Sequence, residues 1–397
     1  RSRGLGDVYK RQGYYFRERN KPGDTQDRYR DFNGGLKANY TFNTLSNLEV
    51  GYTFDQYDKS DYQVLYKNDV RDYSNVQHNV HALYNYTFNE KHTLTVGADY
   101  LRDYLMSYQF TDNANYIMHT ADAFGQFDWN PTERLNVIAG LRFDYFSDSN
   151  VRHLSPHLGM MYKIGNCSLR GSYSQGFRSP TLKEMYMVFN MANMMMIYGN
   201  PDLKSETSHN FSLSAEYTKN RYNFSVTGYY NLVHNRINTV YSDDPKGQIY
   251  TNTDKVDIAG VDANISAKYP CGLGFRMSYT YIHEFMRDGQ KKFTDTRPHT
   301  ATVRVDWGEN LDKVDFNYSL NGRILSEVKT NVYNDSFNNP AAGSTAVTYP
   351  GYMIWDLTFS VGVFKGVNMN LAINNLFNYV PDYYYFNSPT TTGANLT

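Results

Sequence analysis

The feature that most constrains this chain is a two-residue alternation of apolar and polar side chains that recurs along most of its length. In NVIAGLRFDYF, Leu141 and Phe143 fall on one face of an extended chain, while Arg142 and Asp144 fall on the other. Successive side chains of a β-strand point to opposite faces, so a period of two indicates a strand. The same period recurs in LTVGADY, FSLSAEY, ATVRVDW and MNLAINNL. The chain is therefore predicted to be all-β.

The composition of the two faces favours a membrane barrel over a soluble sheet. Aromatic residues make up 16% of the 397 residues, with 38 Tyr and 23 Phe. A soluble β-sandwich packs the apolar faces of two sheets together, whereas a closed sheet in lipid has aromatic girdles and a wet interior. No stretch reaches the roughly 18 apolar residues of a transmembrane helix. We predict a transmembrane antiparallel β-barrel, with Leu141 and Phe143 facing lipid and Arg142 and Asp144 facing the lumen.

The connections between the predicted strands alternate in length. Short turns such as NEKH, NPTER and TKNR follow every second strand. Longer polar segments, predicted as loops, follow the others at residues 58–74, 178–205, 236–253 and 325–348. Short turns on one rim and long loops on the other are typical of outer-membrane barrels. Strand and turn signals predict roughly 17 strands between Gly13 and Val380.

Charge and cysteine content exclude several other classes of function. The chain has 39 basic and 40 acidic residues and no basic run, so no nucleic acid partner is predicted. Cys167 and Cys271 lie in separate turns several strands apart and are predicted to be unpaired, because a disulfide needs Cα atoms within about 7 Å. There is no CxxC metal motif, GxSxG, HExxH or phosphate loop. No enzyme, metal site or bound cofactor is predicted.

The first residues, RSRGLGDVYKRQ, have no pattern that continues into the rest of the chain. They resemble the translation of a sequencing-library adapter. We therefore expect residues 1–12 to be an artefact of that origin and residues 13–397 to be a partial barrel domain. On this expectation the gene fragment begins inside a longer protein.

Two motifs flank the one long break in the alternation, and together they resemble TonB-dependent outer-membrane receptors. In that family a strand ends in Tyr-Ser-x-Gly-Phe-Arg-x-Pro, and a Gly-Asn-Pro-x-Leu-x-x-Glu element leads into the next strand. IAGVDANIS, with Asp262, and AINNLFNYV match later family elements in order. Ser205 replaces a Pro that is common in the family. The matching residues are Tyr173, Ser174, Gly176, Phe177, Arg178, Pro180, Gly199, Asn200, Pro201, Leu203 and Glu206.

The resemblance implies a fold of the roughly 22-stranded outer-membrane transporter type, with a plugged lumen. With roughly 17 strands present, we expect the plug, its energy-coupling box and several strands, including the last, to lie outside this sequence. The Pro of the first motif ends a strand by removing a hydrogen-bond donor. Gly199 and Pro201 make a turn before the next strand. Arg178 and Glu206 are expected to fix loop geometry rather than to contact ligand.

The resemblance also implies a function and a location. Receptors of this family lie in the outer membrane of Gram-negative bacteria and import large, scarce nutrients. The predicted cargo is a metal chelate: a ferric siderophore, haem or cobalamin. Import would be driven by the TonB–ExbB–ExbD complex. A passive porin and a glycan importer, the latter with a possible surface lipoprotein, remain alternatives.

The loop between the two motifs holds the candidate ligand contacts. Thioether and aromatic side chains suit a large flat apolar ligand such as a tetrapyrrole, and a thioether can be an axial haem ligand. The alternative is a hydrophobic loop packed on its neighbours, and the absence of a loop histidine argues against haem. By the parity of their strand, His153 and His157 are expected to face the lumen. The candidate ligand residues are Met185, Tyr186, Met187, Met194, Met195, Met196, Tyr198, His153 and His157.

Overall fold

A computed structural model places almost all of the chain in β-strands. It describes residues 5–21, 23–111, 114–147, 150–191, 195–253, 255–285, 296–311, 314–335, 339–364, 367–381 and 395–396. The main sheet consists of β1 Leu5–Asn20, β2 Thr25–Asn43, β3 Ser46–Gln63, β4 Asn68–Phe88, β5 His92–Ser107, β6 Asn115–Trp129, β7 Leu135–Phe146, β8 Val151–Ile164, β9 Cys167–Arg178, β12 Glu206–Lys219, β13 Tyr222–His234, β16 Val256–Lys268, β17 Leu273–Phe285, β18 His299–Leu311, β19 Val314–Leu325, β22 Tyr352–Phe364, β23 Val367–Asn374 and β24 Asn395–Leu396.

The connections of the main sheet contain the remaining elements. A helix, α1, spans Leu182–Tyr186, and a 3₁₀ turn spans Pro340–Ala342. Six shorter strands are β10 Val188–Met191, β11 Met195–Tyr198, β14 Arg236–Asp243, β15 Lys246–Thr253, β20 Val328–Tyr333 and β21 Ser344–Tyr349. Four of them form a small sheet in the order β10–β11–β15–β14, in which β11 and β15 run parallel, and the other two form the hairpin β20–β21.

Each strand of the main sheet pairs antiparallel with the next one along the chain. The order departs from strict succession only where β9 pairs with β12, β13 with β16 and β19 with β22. The sheet has 18 strands, or 17 without the two-residue β24, as the sequence predicted. Among the described residues no ladder joins β1 to β23 or β24. β1 begins at Leu5, inside the adapter-like segment, whose origin stays a prediction.

Strand β7 has the two faces that its sequence predicts. Leu141 and Phe143 are 49% and 44% exposed on one face. On the other face Arg142 Nε donates to Asp144 at 2.9 Å, and its Nη2 lies 2.9 Å from Asp122. The register continues this polar face from Asp144 through Asp122 to Asp99 on β5. We call the face with these charges the inner face and the face with Leu141 and Phe143 the outer face.

One predicted loop is mostly strand. β3 continues to Gln63 and β4 begins at Asn68, so only residues 64–67 of the predicted loop 58–74 form a turn. The prediction was wrong because the strands remain paired where neither face is apolar. Pairs such as Lys59 with Tyr73 keep the ladder hydrogen bonds without an alternation of apolar residues. The other three predicted loops contain α1, β10, β11 and the hairpins β14–β15 and β20–β21.

The cysteine prediction is confirmed, since Cys167 and Cys271 are both free thiols. The α-helix in the described part of the chain has five residues. None of the helices described is long and apolar enough to cross a membrane.

Candidate functional site

The connection between β9 and β12 folds back against the inner face. It begins with a capping box around α1, in which the Thr181 hydroxyl accepts from Glu184 N–H at 3.2 Å. The Glu184 carboxylate in turn accepts from Thr181 N–H at 2.8 Å. These two bonds satisfy amide donors that the first turn of a helix otherwise leaves free. The sequence TLKE has this capping-box spacing, so the start of α1 has a signal in the sequence.

Arg178, the last residue of β9, joins this helix to the start of β12. Its Nε and Nη2 donate to the two carboxylate oxygens of Glu206 at 3.0 and 2.9 Å. Its Nη1 donates to both oxygens of Glu184 at 2.9 Å. Glu206 also accepts from the N–H of Ile237 in β14. We call Arg178, Glu184 and Glu206 the ion cluster; it joins β9, α1, β12 and β14.

The hydrogen bonds of the ion cluster favour the charged forms of Arg178 and Glu206. Burial acts to raise the pKa of the Glu206 carboxyl, but hydrogen bonds from Arg178 and Ile237 N–H outweigh it and leave that pKa below 4.5. The hydrogen bonds that Arg178 donates to Glu206 and Glu184, opposed by burial, raise the pKa of Arg178 above its usual value. Bidentate guanidinium–carboxylate pairs are both stronger and more directional than single ion pairs. At neutral pH the charged cluster therefore joins the start and the end of the loop, and its role in fixing loop geometry stays a prediction.

The second motif leads the chain from the loop back to β12 and makes close backbone contacts with the start of the loop. A Cβ on Gly199 would lie 2.6 Å from Met187 N and 2.7 Å from Met185 C and O. Asn200 N–H donates to Glu184 O at 2.9 Å, and its side-chain amide donates to Tyr250 O in β15 at 3.1 Å. Only glycine permits the first approach. Gly199 thus allows the close backbone approach, and Asn200 joins the end of the loop to α1 and β15.

The remaining motif residues also have structural positions. Pro180 is fully buried at the end of β9, and Leu203 is buried before β12. Phe177 stacks on His153, with ring centroids 4.2 Å apart. Pro201 is exposed in a turn in which Asn200 Oδ1 accepts from Asp202 N–H.

A hydrophobic cluster anchors the loop to the inner face. Leu182 and Met185 of α1 pack with Leu105 of β5 and with Phe110. Leu105 is an even number of residues from Asp99, so it lies on the inner face. Because α1 follows β9 in the chain and reaches β5, the sheet curves around the loop.

Two further contacts extend this anchor. Tyr186 stacks on Tyr116 of β6 with ring centroids 3.9 Å apart and planes 3° from parallel. Val188 N–H of β10 donates to Gln109 O at 2.7 Å, and Phe110 forms a bridge with Met187. The connections after β5 and β9 thus form one assembly at the long-loop rim.

The candidate methionines divide into buried and accessible groups. Met185 is 2% and Met187 9% exposed within the packed loop, whereas Met191 on the same loop is 43% exposed. Met195, Met196 and Tyr198 of β11, and Tyr186, are partly exposed. Met194 lies outside the described residues. A ligand role for the candidate residues stays a prediction, and the burial of Met185 and Met187 makes them part of the loop core.

The two candidate histidines lie on the inner face. His157 pairs with Gly140 and Ser174, and His153 pairs with Asp144. Among the described residues, Nε2 of His153 has no hydrogen-bond partner. Four residues of strand place the Cα atoms of the two histidines about 13 Å apart. In the described ranges no cluster of three or more His, Cys, Asp or Glu residues is arranged to hold a metal.

The chain resembles one family over nearly its whole length. A family model described as TonB dependent receptor-like, beta-barrel, matches residues 1–376. The siderophore receptor PirA from Acinetobacter baumannii superposes with a TM-score of 0.69 at 16% identity, covering 89% of this chain and 59% of that one.

Two relatives give the same result from sequence. The iron-regulated outer membrane virulence protein of Vibrio cholerae serotype O1 is 24% identical over 278 residues, covering 64% of this chain and 40% of the relative. The heme/hemopexin utilization protein C of Haemophilus influenzae is 22% identical over 334 residues, covering 71% of this chain and 44% of the relative. The chain thus spans less than half the length of these relatives.

Proposed function

Because the chain belongs to the TonB-dependent receptor family, we propose that the protein imports a metal chelate across the outer membrane of a Gram-negative bacterium. The observation that carries this proposal is the loop assembly anchored on the inner face. Leu182 and Met185 place it at the mouth of the lumen, on the long-loop rim. A ligand entering from outside meets this assembly before it reaches the lumen.

The similar proteins support this class of cargo. Their names refer to iron regulation, to haem and hemopexin use, and to siderophore reception. Ferric siderophores, haem and cobalamin are all metal chelates too large for simple diffusion through a narrow pore. We propose a ferric siderophore or haem ahead of cobalamin, because the names of these three proteins refer to iron and haem.

Energy and partners follow from the family. We propose that the whole protein receives energy from TonB, with ExbB and ExbD, and acts as a receptor and transporter rather than as an enzyme. A surface lipoprotein is proposed only if the cargo is a glycan or cobalamin. No nucleic acid partner is proposed, since acidic and basic residues balance at 40 and 39.

We propose that the ligand contacts the accessible side chains of the β10–β11 hairpin. Met191 is exposed there, and the partly exposed Met195, Met196 and Tyr198 lie on the neighbouring strand. Thioethers adapt to irregular apolar surfaces. His153 and His157 are proposed as secondary contacts lower on the inner face.

Titration of the intact purified protein tests this proposal. Ferric siderophores, haem and cobalamin are added separately, and binding is followed by the absorbance of each chelate and by tryptophan fluorescence. The proposal expects saturable binding of one chelate class. If no chelate binds and small sugars pass through proteoliposomes that contain the protein, the protein is a passive porin instead. Saturable binding of an oligosaccharide alone would establish the glycan importer.

A further inference from the structure

A hydrogen-bonded tyrosine–histidine pair occurs four times on the outer face. In each pair a tyrosine hydroxyl meets His Nδ1 on the next strand of the sheet. The histidine always lies two residues before the residue that pairs across the strands with the tyrosine. The pairs are Tyr52–His78 at 2.8 Å, Tyr100–His119 at 2.7 Å, Tyr173–His209 at 3.0 Å and Tyr279–His299 at 2.7 Å.

The four pairs lie at one level of the barrel. Each histidine lies 10 to 12 residues before the end of a strand that descends from the long-loop rim, and each tyrosine is on the strand that rises to that rim. Long loops are extracellular in outer-membrane barrels, and aromatic girdles mark the two membrane interfaces. The pairs therefore mark the extracellular interface. We call these eight residues the Tyr–His belt.

Histidines are concentrated at this level. His234 is beside the belt, with its ring centroid 6.1 Å from that of His209. His283 lies 6.5 Å from Tyr281, whose ring is 4.8 Å from His299. Six of the ten histidines of the chain are thus on the outer face at the extracellular end. An apolar lipid-facing surface gives no reason for such a concentration.

Arg102 lies between two of the belt histidines. It pairs directly with His78 on one side and with His119 on the other, so the three side chains form a row across β4, β5 and β6. Among the described residues no carboxylate is within ion-pair distance of Arg102. On the inner face, by contrast, Arg142 and Arg178 each contact two carboxylates. Within the part of the chain that the structure describes, Arg102 is therefore a cation without a carboxylate partner on the outer face.

We propose that Arg102, with the imidazoles of His78 and His119, binds a phosphate group of the lipid A headgroup in the outer leaflet. A guanidinium presents a planar fork of donors that matches phosphate oxygens. When a tyrosine hydroxyl donates to Nδ1, the ring proton is on Nε2, which becomes a donor for a third group. The row therefore offers three donors at the level at which lipid phosphates lie. The site is independent of the cargo and of energy coupling.

Lipid binding by the intact protein in detergent tests this site. The probes are lipid A, lipid A from which both phosphates have been removed, and inorganic phosphate. Arg102→Gln is compared with Arg134→Gln, which removes the same charge from an exposed turn at the opposite rim. Bound lipid is counted by native mass spectrometry over a range of lipid concentrations.

The site predicts that Arg102→Gln weakens lipid A binding about tenfold, or about 1.4 kcal/mol, while Arg134→Gln leaves it unchanged. Dephosphorylated lipid A should bind the native protein and Arg102→Gln equally weakly. His119→Gln provides a second variant, expected to weaken binding in the same direction if Arg102→Gln does not fold. Equal affinity of the native protein for both lipids would overturn the proposal. Displacement of lipid A by millimolar inorganic phosphate would also overturn it, by indicating a site for free anions.

Discussion

Arg178 and Glu206 join the last residue of β9 to the first residue of β12 through two parallel hydrogen bonds of 3.0 and 2.9 Å. The residues are 28 apart in sequence, and the loop between them carries α1 and the β10–β11 hairpin. Glu184 adds a second carboxylate to the same guanidinium. The family motif thus closes the base of the loop that carries α1 and the β10–β11 hairpin.

Arg178→Lys is expected to loosen this loop while leaving the barrel folded. Lysine keeps the charge but cannot form two bidentate contacts. The pair is partly exposed, so solvent screening limits the expected loss to about 1 kcal/mol. Limited proteolysis between residues 179 and 205 should accelerate about fivefold, since RT is about 0.59 kcal/mol. Glu216→Gln, which breaks the Arg170–Glu216 pair on the wall, should leave this rate unchanged; equal acceleration in both variants would contradict the assignment.

The loop is expected to loosen at acid pH through Glu206. Its pKa in the folded protein lies below 4.5, so its contribution is complete above that value and is lost as pH falls through the folded pKa. Hydrogen exchange of residues 182–191 should therefore rise as pH is lowered below 4.5, after correction for intrinsic exchange. Glu206→Gln removes the charge at every pH, so its exchange in this loop should be fast already at pH 7. If hydrogen exchange in Glu206→Gln still rose at acid pH as it does in the native protein, the effect would belong to another group.

Gly199→Ala is expected to displace the backbone around residue 199, where the loop leads back towards β12. The added Cβ would lie 2.6 Å from Met187 N, a backbone atom that cannot rotate away. Overpacking of this kind costs about 1–3 kcal/mol. Gly125→Ala is the matched control, because nothing lies within 4 Å of its Cβ position. Thermal unfolding and loop proteolysis should change in Gly199→Ala alone; a Gly199→Ala protein with native loop protection would show that the close approach is not required.

Alanine substitutions of Met185 and Met191 are expected to have different effects, although both residues belong to one loop. Met185 is buried against Leu105 and Phe110, so Met185→Ala should destabilise the loop by about 2–5 kcal/mol. Met191 is exposed on the hairpin, so Met191→Ala should keep the fold and weaken binding of the metal chelate. Chelate titration and loop proteolysis on the same preparations separate the two effects. Unchanged affinity in Met191→Ala would remove that side chain from the proposed contact surface.

The sequence predicts the wall better than the loops. The faces of β7 follow from local alternation, because each residue of a strand is oriented by its own backbone. The extension of β3 and β4 between Lys59 and Tyr73 was missed, since polar residues on both faces of these strand ends give no apolar alternation. Strand pairing there depends on a neighbour, which a local pattern does not specify.

The candidate site required information that no local pattern contains. TLKE has the spacing of a capping box and was available in the sequence, so α1 was predictable. The contact of Met185 with Leu105 joins residues 80 apart, and the sequence gives no signal for it. For the same reason the six methionines of the loop could be described only as either core or ligand surface. Burial then separates Met185 from Met191.

Energy-dependent uptake of a metal chelate by living cells tests the central claim most directly. Cells lacking their own receptors are given the intact protein, and accumulation of a radiolabelled ferric siderophore and of haem is measured with and without functional TonB. The account predicts saturable accumulation of one chelate, lost without TonB and strongly reduced in Arg178→Lys at normal surface expression. Accumulation that is linear in concentration and indifferent to TonB would contradict it and indicate a passive pore.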